Sequence, residues 1–332
     1  MAENSTIEWT DHTWVPIAGC DAISPACAFC YAALMAARLE AMGNAKYAGL
    51  ATRHGNIGKW TGKVNLSEAD VVKPLHVKKP GRWFLTSMGD VFHRKVPFDF
   101  LDQLFAVMAL ADRHTFYVLT KRLDVAAEYL GPSPELGGMT RDVMVEGEAQ
   151  AIHHKRTGED PSMWLAVHWP LPNVFIGCTV EDQERADERN PYMRDIAAAG
   201  WRTFVSYEPA LGPVDWSEWG FLSWLISGGE SGQKARPSHP DWHRSARDFC
   251  QARGIPYLFK QWGEWLDERD ATMRHMAPGP SMYDGEGMPK GPCWHFYDGE
   301  DVLGGAMIRV GKKAAGRLLD GREWNEMPGA RE

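Results

Sequence analysis

The strongest constraint on the fold is a unit that recurs along the chain: a short apolar run, a few polar or glycine residues, and then a stretch with helical spacing. This alternation is typical of parallel strands that are joined by helices. Seven apolar runs have the length and composition of buried strands, and they lie at residues 13–17, 82–86, 115–119, 173–178, 202–206, 223–227 and 256–259. We therefore predict an α/β protein with seven parallel strands.

Three of the stretches between these runs carry clear helix signals. Apolar residues recur at helical spacing over residues 98–111. Residues 181–199 begin with acidic side chains, which the N-terminus of a helix favours, and they end at Gly200. The third helix is predicted to begin after Asp241, as its N-cap, and to end at Gly254.

Two stretches break the alternation. Residues 131–170 are best explained as an insertion after the third strand–helix unit, and the chain after Trp265 is rich in Gly, Pro and Met. We predict a partial or near-complete (β/α) barrel over residues 1–265, with the insertion at about 131–170. Residues 266–332 are expected to form an irregular C-terminal extension that packs on the barrel.

Short polar sequences follow six of the seven strands: SMGD, TKR, TVED, YEP, GGESG and KQWG. In a (β/α) barrel, the loops at the C-terminal ends of the strands build the active site. Turns also need polar residues for their own geometry, but carboxylates and lysines directly after six apolar strands favour a shared site. The candidate residues at these ends are Ser87, Gly89, Asp90, Lys121, Arg122, Glu181, Glu208, Glu230, Lys260 and Gln261.

Three of the six cysteines form a C-x6-C-x2-C element, Cys20, Cys27 and Cys30, directly after the first strand. In a chain of this length, such a group indicates a metal or redox site in a reducing compartment, not a disulfide scaffold. A [4Fe–4S] cluster on three cysteines leaves one iron open to another ligand, whereas zinc would need a fourth ligand such as His12 or His93. The spacing alone leaves both interpretations open.

Charge and hydropathy limit the partners and the cellular location that we expect for the protein. The formal net charge of −8 argues against a generally basic surface that coats nucleic acid, but not against a local basic groove. No apolar run reaches the roughly 18 residues of a membrane-spanning helix, and the residues after Met1 do not have a signal-peptide pattern. We expect a cytoplasmic protein without a membrane partner.

The cysteine element and several other stretches resemble the phage-associated three-cysteine-motif family that is grouped with radical S-adenosylmethionine (SAM) enzymes. The matching stretches include SMGDVFH, HTFYVLTKR, WPLPNVFIGCTVEDQERAD, YEPALGPVD, ISGGESGQKARP, PYLFKQWG and GKKAAGRLLDG, and together they span nearly the whole chain. The resemblance implies a radical SAM-like barrel with a [4Fe–4S] cluster on Cys20, Cys27 and Cys30 and with SAM on the fourth iron. The cysteine spacing departs from the C-x3-C-x2-C that is usual in that superfamily.

Roles for single residues follow from the resemblance and from their chemistry. Tyr31 corresponds to the aromatic residue that packs near the SAM adenine, and the SMGD turn with Ser87, Gly89 and Asp90 occupies the place of a turn that contacts the SAM amino group. Lys121, Glu181 and Glu230 are further candidates for binding the cofactor, and Lys121, Glu208 and Lys260 are the catalytic candidates, because such side chains bind anions and transfer protons.

The function implied is reductive cleavage of SAM to methionine and a 5′-deoxyadenosyl radical, which abstracts hydrogen from a substrate. The electron would come from a donor such as flavodoxin or ferredoxin. Phage association suggests a nucleobase or nucleic acid as substrate, in a bacterial or phage-infected host cell. Trp9, Trp14 and Trp262 are candidates to keep the site dry. The alternative is a non-catalytic protein, stabilised by zinc or by a cluster, that binds nucleic acid or takes part in phage–host interaction.

Overall fold

The computed structural model describes residues 3–5, 7–132, 136–159, 167–269, 292–298 and 301–329. The strands are β1 (Glu3–Asn4), β2 (His12–Trp14), β3 (Ile17–Ala18), β4 (Ala51–His54), β5 (Ile57–Trp60), β6 (Asn65–Leu66), β7 (Arg82–Leu85), β8 (Thr115–Thr120), β9 (Val174–Thr179), β10 (Arg202–Tyr207), β11 (Trp224–Gly228), β12 (Tyr257–Gln261), β13 (Trp265–Asp267), β14 (Cys293–Asp298) and β15 (Asp301–Arg309). The α-helices are α1 (Tyr31–Ala41), α2 (Glu68–Val71), α3 (Phe98–Leu110), α4 (Leu123–Leu130), α5 (Asp142–Thr157), α6 (Gln183–Ala198), α7 (Pro240–Arg253) and α8 (Lys312–Ala315).

The main sheet has eight strands in the order β1-β2-β7-β8-β9-β10-β11-β12. Strand β1 pairs antiparallel with β2, and the other seven strands are parallel and follow one another in chain order. These seven strands correspond to the seven that the sequence predicts. The first predicted strand is the one that differs, because it is divided into β2 and β3, and β3 pairs with β6 outside the main sheet.

The sheet curls strongly around its inner face. The rings of Tyr117 on β8 and Trp224 on β11 lie 5.3 Å apart, although a flat sheet would separate strands at these positions by about 14 Å. Strands β1 and β12 form the two edges of the described sheet, so the barrel is open between them. The prediction of a partial (β/α) barrel is therefore confirmed.

Aromatic side chains fill the N-terminal half of the barrel interior. Trp9 lies at the centre of this aromatic floor, 4.9 Å from the ring of Phe84 and 5.8 Å from that of Trp224. Trp14 and Trp262 belong to the separate cluster that includes the buried faces of the helices, and both are almost completely buried. All three tryptophans are core residues, and their role in keeping the site dry stays a prediction.

The helices cover the outer face of the sheet, and their ends refine the sequence prediction. Helix α7 begins two residues earlier than predicted, since the N-cap is His239, whose Nδ1 accepts a hydrogen bond from the Asp241 amide. Pro240 takes the first helical position, where its missing N–H costs nothing. The helix ends at Gly254 with φ of +66°, as predicted.

Described residues of the predicted insertion and extension make contacts with helices of the barrel. Helix α5 lies in the insertion and packs against α3, where Arg141 forms a buried ion pair with Asp102. Strands β13, β15 and β14 form a three-stranded antiparallel sheet in the extension, and Asp320 pairs with Arg244 of α7. No helix within the described ranges has the length and apolar character needed to cross a membrane.

Candidate functional site

The three cysteines lie on one loop, residues 19–30, which we call the cysteine loop; it enters the C-terminal end of the barrel next to the turn after β7. Gly19 and Gly89 form a parallel bridge there. Gly19 has φ of +102°, and a Cβ on it would lie 2.2 Å from the Lys63 carbonyl oxygen. Gly89 would place a Cβ 2.9 Å from the Gly19 oxygen. Only glycine at both positions allows this close approach of the two backbones.

Asp90 holds the start of the cysteine loop through Arg122. The Asp90 carboxylate accepts hydrogen bonds from Thr120 Oγ1 (2.7 Å), the Phe92 amide (3.1 Å) and Arg122 Nη1 (2.8 Å). The same Arg122 nitrogen lies 3.5 Å from Cys20 Sγ, and Nη2 pairs with Asp21. Burial lowers the pKa of the guanidinium, but Asp90 and Cys20 outweigh this effect and the pKa is raised.

Glu181 holds the middle of the same loop. Its Oε1 accepts a hydrogen bond of 2.6 Å from Ser24 Oγ, and its Oε2 lies 3.3 Å from Arg189 Nη1. The Glu181 side chain is completely buried. Ser24 Oγ is in turn 3.5 Å from Cys27 Sγ, so the carboxylate fixes the hydroxyl that contacts the second cysteine.

Glu230 holds the last part of the loop through Arg236. The guanidinium donates to both carboxylate oxygens, at 2.8 and 2.6 Å, and also to the Pro25 carbonyl at 3.1 Å. Arg236 lies over the ring of Phe29, 5.3 Å from its centroid. Three carboxylates that follow β7, β9 and β11 therefore fix one loop from three directions.

The barrel interior above the aromatic floor contains a second set of polar groups. Lys260 Nζ lies 3.1 Å from Glu208 Oε1, and both side chains are partly exposed to the interior. Gly228 leaves room for this pair, because a Cβ on it would lie 2.7 Å from Glu208 Oε1. The Tyr31 hydroxyl donates to the Ser87 carbonyl at 3.2 Å, and its ring is 61 % exposed.

The surroundings of the cysteines raise the pKa of one thiol and lower the pKa of another. Burial and the nearby Asp90 raise the pKa of the Cys20 thiol to about 11. Burial also raises the pKa of Cys27, but Lys121 and the Ser24 hydrogen bonds outweigh it, so that the pKa falls below its usual range. Lys121 Nζ donates to Thr179 Oγ1 at 3.2 Å. Burial lowers the pKa of Lys260, whereas Glu208 and Tyr31 raise it above its ordinary value.

The two histidines that the sequence offers as zinc ligands lie in different places. His12 is the first residue of β2, and its ring stacks on Trp83 at 4.5 Å, at the opposite end of the sheet from the cysteine loop. His93 Nε2 lies 3.4 Å from Asp21 Oδ1, close to the loop. Within the described part of the chain, no three His, Cys, Asp or Glu side chains group closely enough to hold a metal ion. His12 is therefore wrong as a fourth ligand on this loop.

The structure thus brings the three cysteines and the polar residues predicted at the strand ends to the C-terminal end of the strands, whereas His12 lies at the other end. The sequence reasoning missed Ser24 and Arg236, which connect the carboxylates to the cysteine loop, and it treated Arg122 only as an anion contact. Ser24 is separated from its partner Glu181 by 157 residues and Arg236 from Pro25 by 211. No local pattern indicates contacts over such distances.

Fold and site together define a partial (β/α) barrel with a fixed three-cysteine loop at its C-terminal mouth. The chain belongs to the family described as "Protein of unknown function (DUF5131)", which matches residues 4–328. No curated protein matches the chain significantly.

Solved structures of spore photoproduct lyase are similar to the chain at a low level. The complex with dinucleoside spore photoproduct has 9 % identity and a TM-score of 0.40, and the match covers 93 % of this chain and 71 % of that one. A mutant with bound AdoMet and dinucleoside spore photoproduct has 9 % identity and a TM-score of 0.39 over the same shares. A similarity of this size assigns no function.

Proposed function

We propose that this protein is a radical SAM enzyme that holds a [4Fe–4S] cluster on Cys20, Cys27 and Cys30 and acts on a nucleobase or nucleic acid. The observation that carries the proposal is the cysteine loop itself. Three unpaired cysteines share a loop that three buried carboxylates hold at the mouth of the barrel. A loop that is fixed before any cofactor binds suits a ligand set that must keep its geometry.

The described residues contain no ligand set that suits a single zinc ion. Zinc needs its ligands within about 2.0–2.3 Å of one point, and no three suitable side chains of the described residues converge in that way. The three sulfurs of a cubane bind three separate irons and lie further apart. Lys121 lies beside Cys27 and favours the thiolate that iron requires, whereas at Cys20 burial and Asp90 outweigh the effect of Arg122.

Unsatisfied polar atoms support a polar ligand next to the loop. Thr86 directly follows β7, and its buried hydroxyl has no hydrogen-bond partner among the described residues. Its φ of +62° is unusual for a β-branched residue, and such strain is found mainly at functional sites. Gln261 Oε1 is likewise buried without a partner in the described structure. The amino and carboxylate groups of SAM are ligands of the required kind.

The protein's own residues would exclude water, contact the substrate and balance charge. When bound, the cluster and SAM supply the electron transfer and the radical chemistry. The aromatic floor around Trp9 closes the interior from below and excludes water. Lys260, charged and paired with Glu208, offers a donor and an acceptor to one face of a substrate, and it can transfer a proton. Lys121 balances the charge of Cys27.

Metal analysis and a product assay test the proposal. Anaerobically purified protein is expected to contain about four iron and four sulfide per chain, and reduction with SAM present should yield 5′-deoxyadenosine. Cys27→Ala should lose the iron, whereas Cys293→Ala, which alters an exposed cysteine on β14, should keep it. Stoichiometric zinc without iron, or a reduced cluster that leaves SAM intact, would contradict the proposal.

A further inference from the structure

A cavity of about 310 Å³ adjoins the cysteine loop on its outer side. It lies between α1, the β4–β5 hairpin and the loop of residues 231–234 that follows β11. Cys30 and Tyr31 are among its lining residues. Tyr31 is also within electrostatic range of Lys260 and Glu208. Through Tyr31, the cavity therefore adjoins the polar groups inside the barrel.

The lysine and arginine side chains that line the cavity give it two positive charges, and no acidic side chain opposes them. Arg38 and Lys234 line it, and no lining residue is a carboxylate, although the chain as a whole has a net charge of −8. Both side chains are exposed, and neither forms an ion pair with another residue of the described structure. Cations without a protein partner are available to an anionic ligand, and the absence of acidic lining makes the cavity selective for one.

The walls of the cavity are held in place from behind. Arg309 Nη2 donates to the carbonyls of Gly232 and Gln233, at 2.9 and 2.7 Å, and Glu264 accepts from the Gly232 amide at 3.0 Å. Gln233 Oε1 accepts from Asn56 Nδ2 at 2.9 Å, which joins the loop to the hairpin. A site that is rigid before binding loses less entropy when a ligand arrives.

The opposite wall is equally well defined. A Cβ on Gly58 would lie 2.0 Å from the Leu34 amide nitrogen, so the hairpin lies directly on α1. Tyr31, Leu34 and Arg38 recur at helical spacing along α1 and present one face to the cavity. A charged end at Arg38 and an aromatic end at Tyr31 match a ligand with an anionic group attached to a flat ring.

We propose that this cavity binds a phosphate group of a single-stranded nucleic acid, with the attached nucleoside directed past Tyr31 into the barrel. This inference rests on the proposed function, because it names the substrate class of the same site. Arg38 and Lys234 contact the phosphate, and the exposed Tyr31 ring offers a stacking surface for the base.

Fluorescence anisotropy with a short labelled oligothymidylate tests the site. Each neutralised phosphate contributes about −0.7 to the slope of log affinity against log salt for single strands. The double variant Arg38→Gln/Lys234→Gln removes the neutralisation of one phosphate, so it should reduce the slope by about 0.7 and weaken binding about 5-fold at 0.1 M salt. The control Lys78→Gln/Lys79→Gln removes the same charge from an exposed loop at the N-terminal end of β7 and should change neither value.

Each result decides the proposal. Equal losses in the two double variants, or no binding by the wild type, overturn it. Competition by dTMP but not by thymidine supports a nucleotide phosphate, whereas inorganic phosphate that competes as well as dTMP overturns it in favour of a free-anion site. Iron content and 5′-deoxyadenosine are measured on the same proteins. A wild type that binds the oligonucleotide but makes no 5′-deoxyadenosine refutes the proposed function alone.

Discussion

Arg122→Gln is the most direct test of how the cysteine loop is held. Arg122 and Asp90 form a buried pair with 7 % side-chain exposure each, and breaking such a pair from one side costs about 3–5 kcal/mol. Asp90 keeps its bonds from Thr120, Phe92 and the Lys121 amide in the variant. Because these donors still stabilise the carboxylate, we expect a loss near the lower limit, about 3 kcal/mol of the free energy of unfolding.

Urea unfolding of the metal-free protein, followed by tryptophan fluorescence, measures this loss. Arg94→Gln is the matched control, because Arg94 pairs with Asp124 at the surface with side-chain exposures of 72 % and 40 %, and such pairs contribute about 0–1 kcal/mol. The Arg122 variant should also retain less iron after reconstitution, since Cys20 and Asp21 lose their common partner. If both variants unfold at the same urea concentration, Arg122 does not hold the loop.

Two further predictions concern the core. Trp9→Ala should lower the free energy of unfolding by about 3–5 kcal/mol, because Trp9 packs among Phe84, Tyr117 and Trp224. Urea unfolding measures this loss, with Trp9→Phe as the control. A loss smaller than that of Trp9→Phe would exclude a supporting role for the aromatic floor. His243 is completely buried, and this burial lowers its pKa to about 3. The unfolded chain therefore binds a proton that the folded chain does not, so stability should fall as the pH falls from about 6.5 to about 3. His243→Gln should flatten this dependence by about 1.4 kcal/mol per pH unit between pH 4 and 6; an unchanged slope would show that other groups cause it.

The parallel strands and the position of the site were predictable because their signals are local. A buried strand shows itself as an apolar run, and the polar residues after it must lie at the same edge of the sheet as those after its neighbours. The same reasoning placed Glu208 and Lys260 together, and they are 3.1 Å apart. It also placed the cysteines at that edge.

The roles of the carboxylates were not predictable because they depend on contacts between distant parts of the chain. Asp90, Glu181 and Glu230 were expected to bind the cofactor, and this remains a prediction. Their oxygens bond Arg122, Ser24 and Arg236 in the structure. These partners either belong to the cysteine loop or reach it from another strand end, so only the tertiary fold determines which acidic residues face the barrel interior and which face the loop.

The bonds that these carboxylates form explain how a loop with three thiols can be held in place at the open end of a barrel. Thiolates repel one another, so a loop that carries three of them needs cations beside it, and isolated buried cations would be costly. Arg122 and Arg236 each lie against the loop, and each is paired with a carboxylate from a strand end. The carboxylates thus compensate the positive charge of these arginines before any cofactor binds. Glu208, Lys260 and Tyr31 have no such role. Under the proposed function, we expect these three residues and the positive cavity to recognise the substrate.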